Sequence, residues 1–265
     1  MKYYLGFIGC GNMGGALVTA ATKTIDSEQI AVCDHNMEKV EKLENTLGVV
    51  GVSAEEIAQE AKFVILGVKP QVMEATLAPM AKILRERDNV TIVTMAAGLS
   101  ISAIHSYIGK NLPVIRIMPN TPVTMGAGMV LFTSDGVCKE LKNEFLHAFK
   151  AAGKFDELSE DKIDAGSALS GCGPAFVYAF AEALADGGVE CGLPRDKAAL
   201  YAAQTLLGAA KMLLAFGHPA DLKDAVCSPG GTTIAGIHAL EESGFRGGAM
   251  NAVLAAYKRT LELKK

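Results

Sequence analysis

A chain of 265 residues, half of them hydrophobic and a fifth charged, is too apolar for a disordered segment and large enough for one big domain or two. A formal charge of −4 offers no basic face, so neither nucleic acid nor an anionic membrane is expected as a partner. The six scattered cysteines form no CxxC pair and no zinc-ligand spacing, so no metal is expected; reduced thiols and a start without a secretory address suggest the cytoplasm.

The first apolar run, "YYLGFIG", is followed at once by Gly9, Gly11 and Gly14 in the G-x-G-x-x-G arrangement, with Ile8, Cys10, Asn12 and Met13 filling the loop. Gly9 permits a tight turn, Gly11 lets a pyrophosphate approach the backbone, Gly14 allows close helix packing, and the next helix presents its positive N-terminus. A second strand, "IAVCD", ends at Asp34, about twenty residues on, where an acid can accept hydrogen bonds from an adenosine ribose. That favours NADH, and the charge would repel a 2′-phosphate; His35, Asn36 and Lys39 follow with donors that suit NADPH, and Asp34 has the alternative of capping the helix that begins near Met37. Both coenzymes therefore remain open.

A third strand, "FVILGV", runs into "GVKPQ", which places Gly67, Val68, Lys69 and Pro70 at the carboxyl edge where ligands of such sheets bind. "VTIVTM" and "VIRIM" continue the series, with amphipathic stretches over Met37–Leu47 and Ala54–Glu60 between strands. Strands spaced by helices predict right-handed βαβ units and a doubly wound parallel sheet.

After "KFDELSEDKID" the texture changes to Ala- and Leu-rich helical spacing, so residues 1–160 are expected to form a Rossmann dinucleotide-binding domain and residues 161–265 a helical one. Helix breaks are expected at "GGVECGLPRD", "FGHPADL", "SPGGTT" and "ESGFRGG", with His218 a turn residue ahead of Pro219. The apolar segment Ala175–Val189, interrupted by Glu182 and Asp186, is shorter than the roughly 20 residues of a membrane span and reads as a buried helix. In "VCSPGGTTIAGI", Pro229 and the pair Gly230 and Gly231 make a rigid turn, and Ser228, Thr232 and Thr233 add hydroxyls at a helix start. This is either a neutral cradle for a carboxylate or a plain N-cap with a glycine loop. The five histidines are dispersed, and none is assigned a catalytic role.

From end to end the chain resembles the pyrroline-5-carboxylate reductases. The resemblance is carried by "GFIGCGNMG", "GVKP", "RIMPNTP" at Arg116–Pro122, "SGCGPAFVYAFAEALADGGV" at Ser170–Val189 and "LKDAVCSPGGTTI" at Leu222–Ile234, in family order. It implies a Rossmann domain followed by an all-α dimerisation domain, NADPH or NADH as coenzyme, 1-pyrroline-5-carboxylate as substrate and a homodimer or higher oligomer. It also implies that Ser228, Gly230, Gly231, Thr232 and Thr233 form the carboxylate loop, that the Thr233 hydroxyl faces the imine nitrogen, and that Met118, Pro119 and Asn120 lie beside the nicotinamide. A β-hydroxyacid dehydrogenase has the same plan but relies on a lysine early in its long interdomain helix, and this chain has no Lys or Arg between Lys162 and Arg195. A nucleotide sensor without catalysis would share the glycine loop and lack turnover of substrate.

Overall fold

All five β-branched and aromatic runs expected as strands form strands, and three further strands join them. In the computed structural model, which describes residues 1–262, a single sheet contains β1 (Tyr3–Ile8), β2 (Ile30–Cys33), β3 (Val50–Gly51), β4 (Ala61–Leu66), β5 (Thr91–Thr94), β6 (Val114–Met118), β7 (Gly128–Asp135) and β8 (Gly153–Glu157). The spatial order is β3-β2-β1-β4-β5-β6-β7-β8, and every pairing from β3 to β6 is parallel. Strand order reverses between β1 and β4, which opens a crevice at their carboxyl ends.

Alternate residues of the central strands bury opposite faces, as expected of a sheet covered on both sides. Leu5, Phe7, Phe63, Ile65 and Val93 meet α1 (Asn12–Ala21), α2 (Met37–Leu47) and α7 (Lys139–Ala148) through Leu17, Val40 and Phe145. Val64, Leu66 and Ile92 meet α3 (Ala54–Glu60), α4 (Met73–Leu77), α5 (Ala81–Arg85) and α6 (Ile101–Ile108) through Ile57, Leu77, Leu84 and Ile104.

The expectation of a parallel sheet stops at β6. β7 pairs antiparallel to β6, and β8 pairs parallel to β7. The reason is the short link around the Thr121–Met125 turn, well under the dozen or so residues that a crossover to a parallel neighbour requires.

The chain divides into two compact units, Met1–Gly171 rejoined by the segment from Tyr257, and Cys172–Ala256. The first includes α8 (Glu160–Ser170); the second is built from α9 (Gly173–Glu190), α10 (Arg195–Phe216), α11 (Pro219–Ala225), α12 (Thr232–Glu242) and most of α13 (Phe245–Glu262). Left-handed glycines close the breaks at Gly192, Gly217 and Gly244, and His218 precedes Pro219 at the start of α11. The expectation that Ala175–Val189 is a buried helix does not hold within one chain: α9 fully buries only Ala185, and Val177, Tyr178 and Leu184 are exposed. Helices α9 and α10 meet through small alanines, Ala185 against Ala198 and Ala202, and the ring of Phe180 on α9 lies 5.3 Å from that of Phe245 on α13, while apolar side chains such as Val177, Tyr178 and Leu214 are left open. By length and composition alone, Glu160–Glu190 and Arg195–Phe216 are long and apolar enough to cross a membrane.

Candidate active site

The glycine-rich loop is shaped by contacts that exclude any side chain. Gly9 adopts φ +98°, and a Cβ on Gly14 or Gly67 would lie 2.2 or 2.3 Å from the Gly9 carbonyl oxygen. Three glycines thus converge on one carbonyl, locking the end of β1 to the end of β4 and to the first turn of α1. Gly11 is the exception: a Cβ there would meet nothing within 4 Å. Its surroundings are open beside the unpaired amides of the first turn of α1, which is the space a pyrophosphate requires.

Asp34 completes the loop. Its side chain is 4% exposed, with Oδ2 accepting from the Cys10 backbone amide at 2.7 Å and Oδ1 accepting from the Asn36 amide at 2.9 Å. His35 Nδ1 stands 3.1 Å and Lys39 Nζ 3.6 Å from Oδ1. Burial pushes this carboxyl upward, but the two amide hydrogen bonds and the neighbouring Lys39 and His35 outweigh it, and the net displacement is below the ordinary value. Helix capping falls to Asn36, whose side chain accepts from Glu38 N, and not to Asp34. Burial, reinforced by Asp34, pushes the Cys10 thiol up to about 12, so this cysteine is held as a neutral thiol.

A cleft of about 610 Å³ runs along the carboxyl ends of β1, β2 and β4. Ile8, Gly9, Gly11 and Asp34 line one side, Gly67, Val68 and Lys69 the other, and His35 and Lys39 its rim. Cys10 and Gly14 lie buried behind the loop, Asn12 opens α1 on the surface, Met13 packs on the core, and Pro70 starts the turn beyond Lys69. Cys33, Val72 and Thr76 also line the cleft and were missed. Val72 and Thr76 are spaced i, i+4 just past the proline turn, and that spacing was the available signal.

Met118, Pro119 and Asn120 form a buried turn at the carboxyl end of β6. Asn120 donates from Nδ2 to Ser170 O and accepts at Oδ1 from Met129 N, both at 2.9 Å. Arg116 is also buried; it pairs with Asp164 and Glu160, and a charge inside "VIRIM" was the signal that it needed partners.

In the helical unit, Gly230 adopts φ +67° and Gly231 is the N-cap of α12 without a side-chain cap. Gly231 N donates to Ser228 O at 3.0 Å, which closes the turn, and a Cβ on Gly231 would lie 2.3 Å from Ser228 Oγ. The hydroxyls of Thr232 and Thr233 are exposed, and the first-turn amides of α12 have no helical partner. The turn therefore offers amides and hydroxyls with no cationic side chain of its own.

Two family models match the chain: pyrroline-5-carboxylate reductase dimerisation over residues 160–263, and NADP oxidoreductase coenzyme F420-dependent over residues 4–98. A pyrroline-5-carboxylate reductase of Pisum sativum is 40% identical over 266 residues, 99% of this chain and 96% of the relative. One from Escherichia coli is 38% identical over 270 residues, with both chains fully covered. Among solved structures, a pyrroline-5-carboxylate reductase from Coxiella burnetii superposes with a TM-score of 0.91 at 32% identity, and a Plasmodium falciparum pyrroline carboxylate reductase with NADP bound with 0.88 at 30%, each over the full length of both chains.

Proposed function

Since the chain belongs to the pyrroline-5-carboxylate reductase family, we propose that its glycine-rich cleft seats the coenzyme and its Ser228–Thr233 turn holds the carboxylate of the substrate. The reaction is the NAD(P)H-dependent reduction of 1-pyrroline-5-carboxylate to L-proline, the last step of proline biosynthesis.

The observation that carries the cofactor assignment is the open space at Gly11 beside the free amides of α1. Ile8 to Gly14 follow the pyrophosphate, Asp34, His35 and Asn36 the adenosine ribose, and Gly67 to Pro70 the far wall of the cleft. The Met118–Pro119–Asn120 turn flanks the nicotinamide. Because Asp34 spends both oxygens on backbone amides and is attended by His35 and Lys39, its charge is largely offset. We therefore favour acceptance of both NADPH and NADH.

Bound nicotinamide supplies the hydride. The protein's work is orientation. A cyclic imine is basic enough to be protonated in part near neutral pH, and the iminium carbon then accepts hydride without leaving a charge to stabilise. Thr232, Thr233 and the first amides of α12 hold the carboxylate, Ser228 braces the turn, and the Thr233 hydroxyl steers the imine nitrogen. This accounts for a turn without lysine, histidine or tyrosine. Thr233→Ala should keep its fold and lose about tenfold or more in kcat/KM for the imine, about 1.4 kcal/mol of transition-state stabilisation. Unchanged steady-state kinetics would remove Thr233 from the site.

We further propose a homodimer or higher homo-oligomer formed through the helical domain, residues 161–265. Open apolar side chains such as Tyr178, Leu200, Leu214 and Phe216 suit a second copy of the chain, with Glu182 and Asp186 placing charge on α9 where lipid would oppose it. Neither membrane nor nucleic acid enters this reading. Six free thiols fit a reducing, cytoplasmic location.

A further inference from the structure

Arg116, Met118 and Asn120 alternate along β6 and its continuation, so they share one face. All three engage α8 or its immediate neighbours. Arg116, 1% exposed, donates from Nη2 to Asp164 Oδ1 at 2.9 Å and from Nη1 to Glu160 Oε1 at 3.3 Å. Met118 packs with Ile163 of α8 and Leu131 of β7. Asn120 reaches Ser170 O, at the last residue of α8, and Met129 N, at the start of β7. Glu160 Oε1 also accepts from Ile101 N, the first residue of α6, at 2.7 Å. From Glu160 to Ser170 the helix is pinned along the strand that ends in the Met118–Pro119–Asn120 turn.

We propose that Arg116 and Asn120 are positioning residues for hydride transfer: they fix the nicotinamide-side turn by anchoring it to α8, and neither grips the coenzyme. The inference rests on the placement of that turn beside the nicotinamide. Cohesion alone is a poor reason for the arrangement. A buried ion pair roughly returns what its desolvation costs, and apolar side chains of similar volume often do as well or better. Arg116 Nε, moreover, has no hydrogen-bond partner among the described residues, which adds a further cost. What a rigid guanidinium fork offers over apolar packing is one defined position. Asn120 has both ends of its amide committed to the protein and is 8% exposed, so it is turned toward its own scaffold. Hydride transfer is sensitive to such fixing, since a misplacement of about 1 Å can cost on the order of a hundredfold in rate.

The test compares the parent with Arg116→Met/Asp164→Leu, which removes both buried charges together, and with Asn120→Ala, which buries none. NADPH affinity is read by fluorescence titration, turnover with pyrroline-5-carboxylate, and the hydride step by the isotope effect on kcat with NADPH deuterated at the transferred position. The expected result is an NADPH Kd within about twofold of the parent, kcat lower by about tenfold or more, and a larger isotope effect as hydride transfer becomes the slow step. Full kcat in either folded variant would overturn the proposal. So would a rise in Kd that matches the loss of turnover, because the side chains would then be coenzyme ligands. If the double variant does not fold, Asn120→Ala decides alone. The parent's own turnover is measured alongside, so a failure of the reaction assignment is told apart from a failure of this one.

Discussion

At the scale of single residues, Asp34 has a job that neither sequence alternative, ribose acceptor or helix cap, included. It stands just past the end of β2 and is the brace that holds the Cys10 amide in place. Asp34→Asn retains one carbonyl acceptor for two amides and should cost about 1–3 kcal/mol near neutral pH. Because the folded carboxyl lies below its ordinary 3.8, this contribution is fully present above that value and lost as pH falls through the folded one. Urea titrations should therefore show the two proteins converging in acid; a constant gap would mean that the charge contributes nothing. Cys10 gives a second expectation. Held near 12 by burial and by Asp34, it should resist alkylation at mildly alkaline pH, while exposed Cys138 reacts, as peptide mass spectrometry would reveal. Labelling of Cys10 at the rate of Cys138 would show that the loop opens.

At the scale of elements, the glycine loop was legible because backbone geometry dictates it: the tight turn expected of Gly9 and the close packing expected of Gly14 are those their contacts enforce, and Gly11 is left open. Strands β1, β2, β4, β5 and β6 were legible for a similar reason, being continuous apolar runs between punctuating glycines and prolines, whereas the two-residue β3 was not. What escaped was long-range. The partner of Arg116 lies 48 residues away, and nothing local announces Asp164. β8 escaped because "GKFDE" is a mostly polar edge that no periodicity marks; β7, "GMVLFTSD", escaped although it is a largely buried apolar run. The Ser228–Thr233 turn was legible in chemistry, though local signals alone could not separate a cradle from a cap. Gly231→Ala probes it directly: the added methyl would displace the Ser228 hydroxyl while leaving an ordinary φ of −80°. A several-fold rise in substrate KM with little change in NADPH affinity is expected. Wild-type KM would dissociate Ser228 from the turn's function.

At the scale of the whole molecule, the two compact units are unequal in how they are held. The sheet unit carries two large cores, one on each face, while the helical unit fully buries three alanines as its own cluster. The expectation of a buried α9 fails within one chain at this scale: its composition is apolar, and the described residues of a single chain leave most of that face open. That asymmetry has a kinetic consequence. A unit with its own core can acquire structure in a first-order step, whereas one whose apolar faces await another copy must pass through a bimolecular encounter. On dilution from denaturant, NADPH binding should return at a rate independent of protein concentration, and proline formation at a rate that rises with it. Equal concentration dependence of the two signals would mean that the cleft too is assembled only by pairing. If the proposed dimer is the active form, the coenzyme site would be made at translation and the enzyme only at encounter.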